Sequence, residues 1–255
     1  MTGAVPGYAE LEFDLPGALL RSVVGSLDAL EPIALLPENT LKIPEQQGVY
    51  QLFLRGEPVY VGKTDADAGL AKRLFRHSRK IQHRTNLDPS EVSFKAIRVY
   101  VFTTVDIETD LIRHYGAGAG LAWDKSGFGS NDPGRQRDTT NNKPENFDFQ
   151  FPADIDRVID FALPESCTAA EALRLLKRAV PYTVRAPRQG QSHKLHSDLE
   201  GQTVSFRGGP KTLRAAMAEL VGQLPAGWQA TKLLGYVILY KEDRAYPQSE
   251  IIARS

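Results

Sequence analysis

The chain has 255 residues, 42% hydrophobic and 24% charged, with 31 Lys+Arg balanced by 31 Asp+Glu. This is an ordinary globular composition, long enough for one large or two small domains, and it excludes disorder and collagen-like repeats. Met1 to Leu20 lacks a basic stretch followed by an apolar one, and the apolar runs Ile33 to Leu36 and Tyr236 to Tyr240 are far too short to cross a bilayer, so a soluble, unsecreted protein without a membrane partner is expected.

Residues 1–47 read as an acidic N-terminal arm. Over 1–50, two basic residues face seven acidic ones, a local charge of −5. A helix is expected from Gly17 to Leu30, followed by a connector carrying Pro32, Pro37 and Pro44. The first clear sheet signal is Gly48 to Leu54, then Pro58 to Gly62, with Arg55-Gly56-Glu57 as a three-residue hairpin loop. Pairing Leu54 with Pro58 puts Tyr50 and Tyr60 on one face as diagonal neighbours.

Gly69 to Ile81 has helical apolar spacing, with Arg73 and His77 one turn apart on a shared face. Over 71–100 the charge reverses to +6, eight basic residues against two acidic, which is the pattern of a phosphate-binding face or of a solvated helix. A strand is expected over Val92 to Phe102. Thr103 or Thr104 then caps a helix over Val105 to Tyr115, where Glu108 leans toward the apolar side and needs a cation, an arginine or a metal to receive it. The polar stretch from Trp123 to Lys143 is too long for a plain connector. From about Phe151 the pattern becomes helix–strand alternation: helices over Thr168 to Ala179 and Thr212 to Gln223, and strands around Tyr182 to Arg185, Thr203 to Phe206 and Tyr236 to Lys241. These make a small α+β accessory domain, 151–255, with a weak internal repeat.

Gly48-Val49-Tyr50, then Tyr60-Val61-Gly62-Lys63 ten residues on, then Arg73 and His77 on one helix and Glu108 on the next, resemble the GIY-YIG nuclease superfamily in order and spacing. The resemblance covers roughly residues 48–138, and the stretch Gly127 to Arg135 looks like that of the restriction-endonuclease branch. It implies an α+β fold with a small, mainly antiparallel sheet flanked by helices, and a catalytic domain over 48–150.

The resemblance also implies roles. Glu108 would ligate Mg²⁺, with Mn²⁺ as a substitute, because such hard cations take carboxylate, water and phosphate oxygens. Arg73 would clamp the scissile phosphate. Tyr50 would serve as general base if Lys63, Arg73 or the metal lowers its phenol, and Tyr60 and His77 would orient water and phosphate or relay the proton. Many members carry Trp-Asn after the glutamate helix, where this chain has Trp123-Asp124. Asp124 or Asn131 is left to fill that position. Arg76, Arg79, Lys80, Arg84, Lys125, Asn131, Arg135 and Arg137 are the expected contacts to double-stranded DNA. Cutting both strands of a palindromic site implies a homodimer on DNA, and the restriction kind implies a companion methyltransferase.

Structure-directed repair and a degenerate binding module are the rival functions. In 151–255, Arg185, Arg188, Lys194, Arg207, Lys211 and Arg214 suggest DNA contact, whereas the pattern resembles secretin-type short domains, which implies protein contacts. Gly62-Lys63-Thr64 is not a P-loop, since Gly56 to Gly62 encloses five residues instead of four. The single cysteine, Cys167, excludes an internal disulfide and a cysteine-rich zinc site, and with it the sequence fits a reducing, cytoplasmic setting.

Overall fold

The computed structural model describes residues 7, 9–64, 67–100, 107–117, 120–124, 128, 143–159, 161–190, 193–209 and 211–255. In chain order the first half holds α1 (Leu15–Asp28), β1 (Ile33–Ala34), α2 (Pro37–Thr40), β2 (Gly48–Leu54), β3 (Glu57–Thr64), α3 (Leu70–Lys80), β4 (Val92–Arg98), α4 (Ile107–Tyr115) and α5 (Phe147–Gln150). Its sheet has the order β1-β4-β2-β3 with every pair antiparallel.

Central strand β2 is buried on both faces, and alternation sends its side chains into two different layers. Tyr50 and Leu52 join Tyr60, and Leu70 and Leu74 of α3, on one side. Val49 joins Val61, Val23 and Leu27 of α1, and Ile107 and Leu111 of α4, on the other. Helix α1 starts two residues before the expected Gly17, its Asp14 cap accepting from Gly17 N at 2.9 Å, and it is part of this core. The sheet also gains β1 from the proline-bearing connector, through Ile33↔Phe94 and Ala34↔Ser93.

The hairpin tip differs from the expected three-residue loop. Leu54 pairs with Glu57, so Arg55 and Gly56 alone turn the chain, both at positive φ (54° and 84°) as a two-residue turn between right-twisted strands requires. A bulge at Val59 then adds one residue to β3, which restores Leu52↔Tyr60 and Tyr50↔Gly62. The two errors cancel, and Tyr50 and Tyr60 share a face with ring centroids 6.0 Å apart.

The second half holds β5 (Val158–Ile159), β6 (Ser166–Thr168), α6 (Ala169–Ala179), β7 (Thr183–Arg185), α7 (Ser197–Gly201), β8 (Thr203–Ser205), β9 (Lys211–Thr212), α8 (Leu213–Val221), β10 (Trp228–Lys232), β11 (Tyr236–Lys241) and β12 (Glu250–Arg254). A sheet ordered β12-β10-β11-β7 is antiparallel except for the parallel β11–β7 pair, and two two-stranded ladders, β5-β9 and β6-β8, accompany it. Thr168 and Thr212 cap α6 and α8 identically, each side chain accepting from the backbone three residues on at 3.1 Å. Both helices pack into one apolar cluster that includes Leu173, Leu176, Leu213, Met217 and Val237. The chain is thus mixed α+β with small, largely antiparallel sheets. Among the described residues no helix is long and apolar enough to cross a membrane.

Candidate active site

The site begins with a close approach. Tyr50, on β2, is fully buried and lays its phenol over Gly62 on β3, where a Cβ would meet Tyr50 Oη at 2.5 Å. Only glycine fits there. Gly48 meets a similar limit, with a Cβ falling 2.2 Å from Ile97 O, so both outer glycines of the two tripeptides answer to packing.

Helix α3 then supplies two partners for the phenol from successive turns. His77 Nε2 lies 2.8 Å from Tyr50 Oη, and Arg73 Nε donates to the same oxygen at 3.3 Å. Tyr60, Tyr50 and Phe128 surround the imidazole at centroid distances of 5.8, 5.5 and 4.7 Å. Trp123 stacks on Phe128 at 4.7 Å and 7°, and its backbone N donates to Val59 O, so this wall is fixed to β3. The sequence reading missed Phe128. A lone aromatic within a Gly- and Asn-rich stretch is the signal that would have found it.

Burial first, and then the neighbouring Tyr60, push the Tyr50 phenol far above the ordinary tyrosine value, while Arg73 pulls it the other way. Burial first, and then Lys80, Arg73 and Arg76, hold His77 well below the ordinary histidine value, so the ring is neutral at physiological pH. Its Nδ1 is buried without a partner among the described residues. The resting site therefore holds a protonated phenol against a neutral imidazole, with one proton in the bond between them. Arg73 alone does not lower the phenol as the sequence reading required.

Glu108, on the first turn of α4, is partly exposed and accepts from Lys63 N at 3.3 Å. Lys63 follows Gly62 on edge strand β3, so the carboxylate reaches the strand one residue, about 3.8 Å of chain, beyond the Tyr50 phenol. A single accessible carboxylate fits Mg²⁺, which keeps several waters and takes the rest of its shell from phosphate oxygens. Among the described residues no cluster of three or more His, Cys, Asp or Glu forms a metal cage. Asp124 is partly exposed and its carboxyl is raised by burial.

The expected DNA contacts divide. Arg76 is exposed on α3 and makes no hydrogen bond or ion pair among the described residues. Arg79 reaches Val180 O at 3.0 Å. Lys80 donates to Phe128 O at 2.8 Å, and burial, then Arg73, lower its ammonium to about 8. Arg84 is buried: its guanidinium pairs with Asp148 at 2.7 Å, donates to Phe151 O and lies over the Phe147 ring, and so helps to hold the fold together. Lys125, Asn131, Arg135 and Arg137 lie outside the described residues. No protein-family model and no curated protein matches the chain.

Proposed function

We propose that the chain is a Mg²⁺-dependent, sequence-specific endonuclease of the GIY-YIG superfamily that hydrolyses phosphodiester bonds in double-stranded DNA, in the manner of a type II restriction enzyme. The observation that carries the reading is the convergence on β3 of Tyr50, His77 and Arg73 at Gly62 with Glu108 at Lys63. Hydrolysis of a phosphodiester needs a group to take the water's proton, cations for the phosphoryl oxygens and help for the leaving oxyanion.

In this reading Arg73, partly exposed above the phenol, takes a non-bridging phosphoryl oxygen as a charge-assisted donor. Tyr60 stands at the rim of the buried pair and orients the attacking water. Tyr50 and His77 act as one unit: as the phenol oxygen takes a proton from water, its own passes along the 2.8 Å bond to Nε2 of the neutral imidazole, against the burial and the neighbouring cations that disfavour charge there. Glu108 holds Mg²⁺, whose positive charge, when bound, favours loss of a proton from water and offsets charge at the phosphate. Lys63 and Asn131 complete the expected catalytic set. A homodimer acting on a palindrome, Mn²⁺ as a substitute metal, a companion methyltransferase and a cytoplasmic setting belong to the same proposal.

The test is digestion of mixed-sequence plasmid and phage DNA by the purified chain with Mg²⁺. Discrete, reproducible fragments support a sequence-specific enzyme. A smear governed by branches or lesions supports the repair nuclease in its place, and binding without cleavage supports a non-catalytic module.

A further inference from the structure

Two clefts adjoin beside the site. One is lined by Arg76, Arg79 and Lys80 of α3 together with Lys177 of α6. The other is lined by Lys177 again and by Arg185 and Arg188 at and beyond β7. Thr183 and Val184 of β7 line both, so the clefts form one trough running from α3 along the edge strand of the second sheet. Arg79 bridges the two parts of its wall through Val180 O.

The chain carries no net charge, yet eight of its cations line this trough, and among the described residues the acid on its walls is Glu242; one of the eight, Lys241, pairs with Asp198 at 2.9 Å. Arg76 near one end and Arg188 near the other are exposed and make no hydrogen bond or ion pair among the described residues. Buried Arg84, also at the wall, is neutralised by Asp148 and adds nothing to the field. Like charges gathered in one groove repel one another in the free protein, and a polyanion laid along them offsets that cost and releases its own counterions. The trough also leads away from the proposed active site. Arg76 and Lys80 lie three and seven residues past Arg73, about 4.5 and 10 Å along α3, whereas one strand of a duplex presents a phosphate about every 3.4 Å of rise.

We infer that this trough binds the phosphate backbone of duplex DNA running out of the active site, which makes residues 151–255 a second DNA-contacting unit through Lys177, Arg185 and Arg188. The inference rests on the proposed nuclease only for naming duplex DNA as the polyanion. These cations face a backbone without reading bases, so the unit adds affinity and footprint, and sequence preference stays with the first half.

The experiment measures anisotropy of a labelled 30-base-pair duplex in EDTA across a salt series. It compares the full chain with Arg76→Gln/Arg188→Gln and with Arg178→Gln, an exposed cation of α6 outside both clefts. Each lost phosphate contact removes about 0.9 from the slope of log affinity against log salt, so the double variant should lose roughly 2 and Arg178→Gln nothing. Thermal melts verify that all three proteins fold. An unchanged slope in the double variant, an equal loss in Arg178→Gln, or a loss seen on anionic phosphatidylserine vesicles and not on DNA overturns the trough. The readout is binding alone, which separates the two failures. If the slope falls but Mg²⁺ supports no cleavage, the nuclease reading fails and the trough stands; if cleavage occurs with an unchanged slope, the reverse holds.

Discussion

Gly62→Ala is the smallest change that should dismantle the site. A methyl group built at Gly62 stands 2.5 Å from Tyr50 Oη and 2.6 Å from Tyr50 Cζ. Non-bonded contacts relax to about 3.5 Å, so the phenol must retreat by about 1 Å. It has nowhere soft to go, because Tyr50 is fully buried between Tyr60 and His77. A shift of that size cannot preserve both the length and the angle of the 2.8 Å bond to His77. The expected costs are about 1–3 kcal/mol of stability from overpacking and about 10²-fold in rate from a misplaced group. Thermal melting and single-turnover cleavage with Mg²⁺ measure the two. Tyr50→Leu removes the ring that the new methyl meets, so adding Gly62→Ala to it should cost much less than Gly62→Ala alone. Cleavage by Gly62→Ala within threefold of the parent chain would refute the assignment of Tyr50 to the site.

Arg84→Ala should destabilise by about 3–5 kcal/mol because it removes the guanidinium paired with buried Asp148, and urea unfolding of Arg84→Ala, Asp148→Ala and the double variant should show strong non-additivity. The same substitution should leave the salt slope of DNA binding unchanged; a fall of about one unit would put Arg84 on the DNA. Lys80, lowered to about 8, loses its charge as pH rises through that value, so the salt slope should be smaller at pH 9 than at pH 7, and Lys80→Arg should abolish the difference. Its folded value lies below the unfolded one, so its burial opposes folding below pH 8 and is relieved above it, in the sense of a stability rise. His77 is depressed as well, so the unfolded chain takes up a proton that the folded chain refuses. Stability should therefore fall as pH drops below about 6.5, and melts of His77→Gln should show a weaker acid dependence.

The parts of the site that follow from local rules were legible in the sequence. Alternation along β2 and β3 set Tyr50 beside Tyr60, and a helical turn set Arg73 beside His77. The turn type was misread, since Arg55 gives no sign that it will adopt positive φ, and the bulge at Val59 compensated. What the sequence hid were contacts between distant segments. The Arg84–Asp148 pair spans 64 residues, and nothing near Arg84 marks it for burial. Strand β10 reads as polar, yet its Gln229 is buried because its amide donates to Arg244 O and accepts from Arg254 Nε, partners that the fold alone brings close. Strand β1 is two residues long and sits among prolines that mask it. The trough escaped notice for the same reason, since its cations come from α3, α6 and β7, about a hundred residues apart in the chain.

The proposed function assigns hydrolysis of DNA to Glu108, Tyr50 and their partners. Its most direct test is single-turnover hydrolysis of a duplex by the parent chain, Glu108→Ala and Tyr50→Phe, each folded by thermal melt, with Mg²⁺ and with EDTA. Cleavage by the parent with Mg²⁺ alone, lost in Glu108→Ala and reduced at least about 10²-fold in Tyr50→Phe, is the predicted result. Cleavage at parental rates by Glu108→Ala, or by the parent in EDTA, would contradict it.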